Sequence, residues 1–179
     1  MGLINIQTPR LLIRRFQPED YEDLYEYLSD EQVVKYEPYP PFTKEQCRLE
    51  AVRRSKKDAF LAVCLKTTGK VIGNLYFEKG DYDTWELGYV FNRHFQNNGY
   101  ATESARALFD YAFREMRVRR VKASCSPENV ASWRLMERLH MRREAHELKN
   151  IFFKTDREGN PIWQDTYHYA ILSEEWQQE

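Results

Sequence analysis

A short run of amide side chains stands directly before the most regular helical pattern of the chain. Residues 95–104 are FQNNGYATES, in which Gln96, Asn97, Asn98 and Gly99 precede that helix. The N–H groups of a helix N-terminus have no intrahelical acceptor and carry partial positive charge, so they bind anions well. A glycine lets the backbone approach the anion because it has no Cβ. The segment therefore predicts either a cradle for a diphosphate or a plain turn with a helix cap.

The composition restricts the kinds of protein that this chain can be. It has 179 residues, of which 42% are hydrophobic and 31% are charged, and its net charge is −1. This supports a packed core, and the length favours a single domain over residues 1–179. The balanced charge argues against a nucleic-acid partner bound through a basic surface and against a disordered acidic tail.

The cysteines and histidines are scattered along the chain. Cys47, Cys64 and Cys125 are odd in number and lack CxxC spacing, so we expect no disulfide framework and a reducing, cytoplasmic location. We also expect no metal, since the histidines have no ligand spacing. No apolar run reaches the length of a signal peptide or a membrane span, so no membrane association is expected.

Hydrophobic periodicity predicts the elements that must position the amide run, in the order β α α β β β α β α β β. The predicted strands are residues 11–16, 59–65, 71–77, 85–91, 118–125, 142–154 and 163–172. The predicted helices are residues 18–28, 43–57, 101–116 and 130–139. The order lacks a regular βαβ alternation, which indicates a mixed sheet with helices packed on its faces.

At this point the sequence resembles a known family. The residues from Gln96 to Ala101, QNNGYA, match the Q/R-x-x-G-x-G/A signature of the GCN5-related N-acetyltransferases, known as GNAT. The segments TPRLLIRRF, ELGYVF and PENVASWRLMERLHMRREA, in this order, resemble the branch of Rim-type ribosomal-protein N-terminal acetyltransferases. The resemblance implies an α+β fold with a mixed, mostly antiparallel sheet of six to seven strands. Helices would cover both faces, and the sheet would be splayed between strands 85–91 and 118–125.

The resemblance also implies an activity. The chain would transfer an acetyl group from acetyl-CoA to a primary amine by direct attack on the thioester, without a metal. The acceptor would be a peptide or protein N-terminal α-amine or a small-molecule amine. The alternative is a non-catalytic acyl-CoA-binding or regulatory domain on the same fold. A regulator that binds ATP or GTP is disfavoured because no Gly-Lys-Ser/Thr follows the loop.

Most of the site residues that the resemblance implies belong to acetyl-CoA binding. The pyrophosphate cradle would consist of Gln96, Asn97, Asn98, Gly99, Tyr100, Ala101 and Thr102. The pantetheine arm would pair with exposed backbone at Tyr89, Val90 and Phe91 and would contact Asn129, which could instead be only a helix N-cap. The family commonly has a β-bulge in this strand, and the N–H of Val90 would then polarise the thioester carbonyl.

The resemblance implies the catalytic residues as well. Glu86 would be the general base, acting through water, unless it is only a structural ion pair or an exposed strand residue. Many family members have a tyrosine acid where this chain has Met136, so Ser132 would donate a hydrogen bond to the sulfur, unless it is only a helix cap. Tyr36 and Tyr39 would contact the acceptor, unless they belong to a rigid surface loop.

The identity of the acceptor stays open, as does the choice between a monomer and a homodimer. Asp81, Asp83 and Glu86 are expected near the cleft, and their charges would suit a cationic amine. Cys125 is expected to be a small core residue rather than a nucleophile, because direct transfer forms no acyl-enzyme.

Overall fold

The computed structural model describes residues 5–176, and its elements follow the predicted order with a strand added at the start and a short helix at the end. The strands are β1 (Asn5–Gln7), β2 (Leu11–Arg15), β3 (Phe60–Leu65), β4 (Val71–Lys79), β5 (Thr84–Phe91), β6 (Arg120–Cys125), β7 (Arg142–Ile151) and β8 (Gln164–Leu172). The helices are α1 (Tyr21–Leu28), α2 (Lys44–Ser55), α3 (Tyr100–Arg114), α4 (Val130–Arg138) and α5 (Ser173–Trp176).

The strands form one eight-stranded sheet in the order β1-β2-β3-β4-β5-β6-β8-β7. Every neighbouring pair is antiparallel except β5 and β6, which are parallel. The predicted mixed, mostly antiparallel architecture is confirmed, with one strand more than expected. The additional strand is β1, which pairs with β2 through Ile6 and Ile13. A three-residue strand with a single apolar residue shows no alternation that a sequence pattern could detect.

The predicted splay lies between β5 and β6. Their parallel pairing covers only Thr84–Arg120, Trp85–Val121 and Glu86–Lys122. Beyond Glu86 the two strands are no longer paired, although β5 continues to Phe91. The carboxyl-terminal half of β5 therefore has an open edge that faces a gap in the middle of the sheet.

Helices cover both faces of the sheet, as predicted. On one face α3 and α4 bury an apolar cluster against the strands; its helical members include Ala105, Leu108, Phe109, Ala112, Phe113, Leu135 and Met136. On the other face α1 and α2 bury a second cluster, which includes Leu24, Leu28, Cys47 and Ala51. The apolar residues whose period predicted the helix at 101–116 form the surface of α3 that packs on the sheet. Among the helices of residues 5–176, none has the length and apolar content needed to cross a bilayer.

The strands β4 and β5 leave no room for a side chain at Gly73. A Cβ built on Gly73 would lie 2.5 Å from Cδ1 of Phe91 and 2.7 Å from the carbonyl oxygen of Val90. Only glycine fits without displacing these atoms. This contact fixes the position of the strand end that borders the gap.

Candidate active site

A cavity of about 1060 Å³ connects the amide loop, the β5–β6 gap and the face of the sheet covered by α1 and α2. Its lining includes all but one of the predicted site residues: Tyr36, Tyr39, Glu86, Tyr89, Val90, Phe91, Gln96, Asn97, Gly99, Tyr100, Ala101, Thr102, Asn129 and Ser132. The exception is Asn98, which does not line the cavity. Residues that are far apart in the chain are therefore brought together as predicted.

The amide side chains of the loop bond to the loop itself. Nε2 of Gln96 donates to the carbonyl of Phe91 at 3.1 Å, and Nδ2 of Asn98 donates to the carbonyls of Phe95 and Gln96 at 3.3 and 2.9 Å. Asn97 and Gly99 have positive φ values of 61° and 79°. The side chains of Gln96 and Asn98 thus hold the loop in a shape that only residues such as Asn97 and Gly99 adopt easily.

The first turn of α3 completes the cradle. Its first intrahelical bond runs from the N–H of Glu103 to the carbonyl of Gly99 at 2.9 Å, so the preceding N–H groups have no acceptor within the helix. Glu103 pairs with Arg10 at 2.6 Å, which ties this helix end to the start of β2. The guanidinium of Arg10 also lies 4.4 Å from the ring centroid of Tyr100.

Arg138 lies beside the predicted cradle, and the sequence reasoning did not include it. It stands at the end of α4, it lines the cavity, and its Nε donates to Oγ1 of Thr102 at 3.2 Å. A guanidinium at a helix N-terminus adds positive charge where an anionic ligand would lie. No sequence signal identifies Arg138, because only the packing of α4 beside α3 brings it to this place.

The predicted β-bulge in β5 is not found, and this changes which N–H groups face the gap. All pairs from Gly73–Phe91 to Lys79–Trp85 keep one register. The N–H of Asn92 donates to the carbonyl of Ile72 at 2.9 Å in that same register. Because bonding alternates along an antiparallel ladder, the N–H of Val90 points to β4 and that of Tyr89 points into the gap. Tyr89, rather than Val90, presents its N–H to a ligand in the gap.

Ser132 and Tyr89 meet at the wall of the gap. The hydroxyl of Tyr89 lies 2.8 Å from Oγ of Ser132 and 2.9 Å from its carbonyl oxygen. Ser132 is only 8% exposed, and burial raises the pKa of Tyr89, which keeps that phenol protonated. The single proton of the phenol can go to either oxygen of Ser132. When it goes to Oγ, the serine hydroxyl can donate into the cavity; when it goes to the carbonyl, the serine hydroxyl donates to Tyr89 instead.

Three neighbours of Ser132 have distinct roles. Asn129 is the N-cap of α4, and its Oδ1 accepts from the N–H of Ser132 at 3.3 Å. Cys125 is half-buried and lines the cavity, so it is not the core residue that was predicted, and burial raises the pKa of its thiol, which keeps the group a thiol. Met136 is buried in the core with 1% exposure, and it offers no proton to the cavity.

The other side of the cavity contains the predicted base. Glu86 lines the cavity, its side chain is 49% exposed, and its carboxylate lies 3.3 Å from Nζ of Lys122. Asp81 and Asp83 do not line the cavity, and Asp83 pairs with Lys79 at 2.9 Å. The expectation that these two aspartates border the cleft is therefore wrong, because the turn after β4 lies at the opposite end of β5 from the gap.

The loop between α1 and α2 closes the cavity on the same side. The hydroxyl of Tyr36 donates to the carbonyl of Glu128 at 3.1 Å, which links this loop to the start of α4. Tyr39 packs edge-on against Phe42 with ring centroids 5.1 Å apart. The loop is therefore well anchored and also forms part of the cavity wall. The two predicted alternatives, a rigid loop and a loop that contacts the acceptor, are compatible with each other. In the described part of the chain, His, Cys, Asp and Glu side chains form no group that could hold a metal ion.

Comparisons with known proteins agree with this geometry. The family model described as an acetyltransferase (GNAT) domain matches residues 10–142. The chain belongs to the GNAT family. It is 43% identical to the uncharacterized N-acetyltransferase YnaD of Bacillus subtilis (strain 168), over 97% of this chain and 99% of that protein.

Solved structures resemble this GNAT chain closely. A GNAT-family acetyltransferase from Bacillus anthracis is 40% identical, with a TM-score of 0.85 over 96% of this chain and 100% of that one. The spermidine N-acetyltransferase of Vibrio cholerae, in complex with CoA and spermine, has a TM-score of 0.78 at 16% identity, over 95% and 99% of the two chains. The second likeness concerns the fold alone.

The family membership establishes the activity in general terms. The protein is an acyltransferase that transfers an acetyl group from acetyl-CoA to an amine. The cavity fits this cosubstrate, because a helix N-terminus with unpaired N–H groups and Arg138 stand at one end and an open strand edge leads away from them.

Proposed function

We propose that the cavity holds both substrates of the transfer, with acetyl-CoA at the α3 side of the gap and a primary amine at the α2 side. The observation that carries this proposal is the continuity of the cavity through the gap between β5 and β6. Two reactants held on either side of one opening react far faster than two free molecules.

Acetyl-CoA would occupy the predicted binding residues. Its diphosphate would lie against the backbone of the cradle, and Arg138 would add a positive charge. Its pantetheine arm would follow the open edge of β5 at Tyr89, Val90 and Phe91 and pass Asn129. The cradle residues are Gln96, Asn97, Asn98, Gly99, Tyr100, Ala101 and Thr102, with Asn98 acting only by shaping the loop.

Ser132 would donate a hydrogen bond to the sulfur as the thioester is cleaved. Its hydroxyl is buried at the wall of the gap, and Tyr89 fixes its orientation. Such a bond stabilises the negative charge that develops on the leaving sulfur. Many family members use a tyrosine for this role, and this chain has Met136 at that position.

Glu86 would take a proton from the acceptor amine, directly or through water. A primary alkylamine has a pKa near ~10.4 and must be deprotonated before it attacks. The neighbouring Lys122 would disperse the charge of the carboxylate between turnovers. The acceptor is proposed to be a small-molecule amine or a peptide N-terminus, and the protein is proposed to act in the cytoplasm as a monomer or homodimer.

The test is turnover of acetyl-CoA with a panel of primary amines by the wild type, Glu86→Gln and Ser132→Ala. Each variant should lose about 100-fold in kcat, the usual size of one acid–base contribution. Acetyl-CoA affinity should stay within about 3-fold, because neither side chain belongs to the cradle. A variant with unchanged kcat would remove that residue from the proposal, and a wild type that acetylates no amine would overturn the proposal as a whole.

A further inference from the structure

The carboxylates on the acceptor side of the cavity differ in their partners. Glu50 accepts hydrogen bonds from Arg53 at 2.7 and 2.6 Å and from Arg54 at 2.7 Å. Burial would raise the pKa of Glu50, but these two arginines outweigh it and hold the pKa below its usual range. Glu86 has Lys122 as its counter-ion. Both carboxylates are therefore already neutralised by cations.

Asp165 and Glu37 complete the set of lining carboxylates. Asp165 accepts a hydrogen bond from the N–H of Lys149 at 2.8 Å and lies 3.0 Å from Nε2 of His146. Glu37 forms no ion pair with any residue of the described chain, and the hydroxyl of Tyr39 is its side-chain partner. Glu37 is therefore the lining carboxylate with no ion-pair partner in the described chain, whereas the partner of Asp165 is a histidine, which is charged only when protonated.

The position of Glu37 makes this lack unfavourable for the empty protein. The residue is half-buried, and burial raises the pKa of its carboxyl, although the Tyr39 hydroxyl and the charge of Arg54 partly oppose the rise. Arg54 cannot turn to it freely, since its Nη1 also donates to Oδ1 of Asn74 at 2.9 Å. A carboxylate removed from water without a counter-ion gains strongly from a cationic ligand.

The backbone around Glu37 is held in place before any ligand arrives. The N–H of Glu37 donates to the carbonyl of Val34 at 3.0 Å, and Pro38 follows directly. On the amino-terminal side, Tyr36 is bonded to the start of α4, and Nζ of Lys154 donates to the carbonyl of Lys35 at 3.3 Å. The carboxylate is thus presented by a fixed loop, which reduces the entropy lost on binding.

Aromatic rings also line the cavity. Tyr39 and Phe42 pack together on the loop, and Phe60 and Tyr76 pack together on the sheet with ring centroids 5.1 Å apart. These surfaces favour an apolar or aromatic group next to the charged end of a ligand.

We propose that Glu37 binds the ammonium group of the acceptor, and that the acceptor is a singly charged primary amine carried on an apolar or aromatic body. This inference rests on the proposed function and names the class of its substrate. The single nitrogen of such an amine would be held by Glu37 as an ammonium group until it passes its proton to Glu86 and attacks the thioester. A polyamine fits less well, because its further ammonium groups would meet Glu50 and Asp165, which already have partners. Glu37 determines specificity, and Glu86 keeps the role of proton acceptor.

The experiment compares the wild type with Glu37→Gln and with Glu31→Gln as a matched control. Glu31 is exposed, belongs to the same loop and does not line the cavity. With 2-phenylethylamine as acceptor, Glu37→Gln should raise KM about 30-fold, as expected from loss of a charge-assisted hydrogen bond, while kcat stays within about 3-fold. The control should behave as the wild type, and 2-phenylethylamine should have a higher kcat/KM than spermidine.

A second readout separates binding from a structural role. The pKa of Glu37 is raised in the folded protein, so at a pH above the ordinary pKa of a carboxyl group the charged side chain destabilises the fold. Glu37→Gln removes this charge and should melt at the same temperature as the wild type or higher. An unchanged KM in Glu37→Gln, or a preference for spermidine, would overturn the inference while leaving the proposed function intact. If no amine is acetylated, the proposed function fails. Calorimetric titration of 2-phenylethylamine into the CoA-bound protein then tests the role of Glu37 separately. Binding heat in the wild type that is lost in Glu37→Gln would support the amine site, and the absence of binding heat in the wild type would rule that site out.

Discussion

At the scale of single residues, the contact between Tyr89 and Ser132 couples the strand edge to α4. The phenol is bonded to both the hydroxyl and the carbonyl oxygen of Ser132, so it restricts the rotation of the serine side chain. A donor that is already oriented stabilises developing charge better than one that must first reorient. This makes Tyr89 important through its side chain as well as through its backbone.

The substitution Tyr89→Phe tests this coupling. It keeps the ring and removes the hydroxyl, so kcat should fall about 10-fold, while affinity for acetyl-CoA changes little. Steady-state kinetics and calorimetry measure the two effects. Tyr25→Phe, on the outer side of α1, serves as the control. Wild-type turnover by Tyr89→Phe would show that Ser132 needs no partner.

The residues of the site were predictable to different degrees. Ser132 and Asn129 could be identified because the resemblance fixes their spacing within one segment. The side-chain role of Tyr89 could not, because its contact joins residues 43 positions apart in the chain. The same holds for Arg138, which only the packing of α4 beside α3 brings to Thr102, and for Glu37, whose role depends on which neighbouring charges are already paired.

At the scale of elements, the junction of β4 and β5 determines the shape of the gap. Gly73 permits the close approach of Phe91 and Val90, and the uninterrupted register gives the N–H of Tyr89 its direction. The sequence predicted both strands, and the family resemblance implied a bulge that the structure does not have. Alternation of apolar residues reveals which face a side chain takes, and it does not reveal where a partner strand adds a residue.

The substitution Gly73→Ala tests this junction. The new Cβ would overlap Phe91, so the free energy of unfolding should fall by about 1–3 kcal/mol, as for other overpacked sites. Urea denaturation measures the change. Gly80→Ala is the control, because its Cβ would meet only the carbonyl oxygen of Thr84 at 3.3 Å, and it should lose less. Equal losses in the two variants would contradict the proposed close packing.

At the scale of the whole molecule, the fold brings several element ends to one opening. The parallel pair β5–β6 separates after Glu86, and the N-termini of α3 and α4 and the α1–α2 loop all border the resulting cavity. The order of elements was largely predictable, because each long strand and helix has a clear period. The closure of the cavity was not, since it depends on contacts such as that of Tyr36 with Glu128, which are 92 residues apart.

The central claim is that the amide loop and the first turn of α3 bind the diphosphate of acetyl-CoA. The most direct test is calorimetric titration of acetyl-CoA into the wild type, Gly99→Glu and Gly69→Glu. Gly69 is the matched control, because it also has a positive φ, 74° against 79°, and a Cβ there would meet nothing within 4 Å. Its variant therefore accounts for backbone strain alone.

We expect micromolar binding by the wild type and by Gly69→Glu, and loss of binding by Gly99→Glu, since the carboxylate would stand where the diphosphate must lie. Equal affinity in all three proteins would contradict the claim, and the loop would then be a turn and a helix cap only.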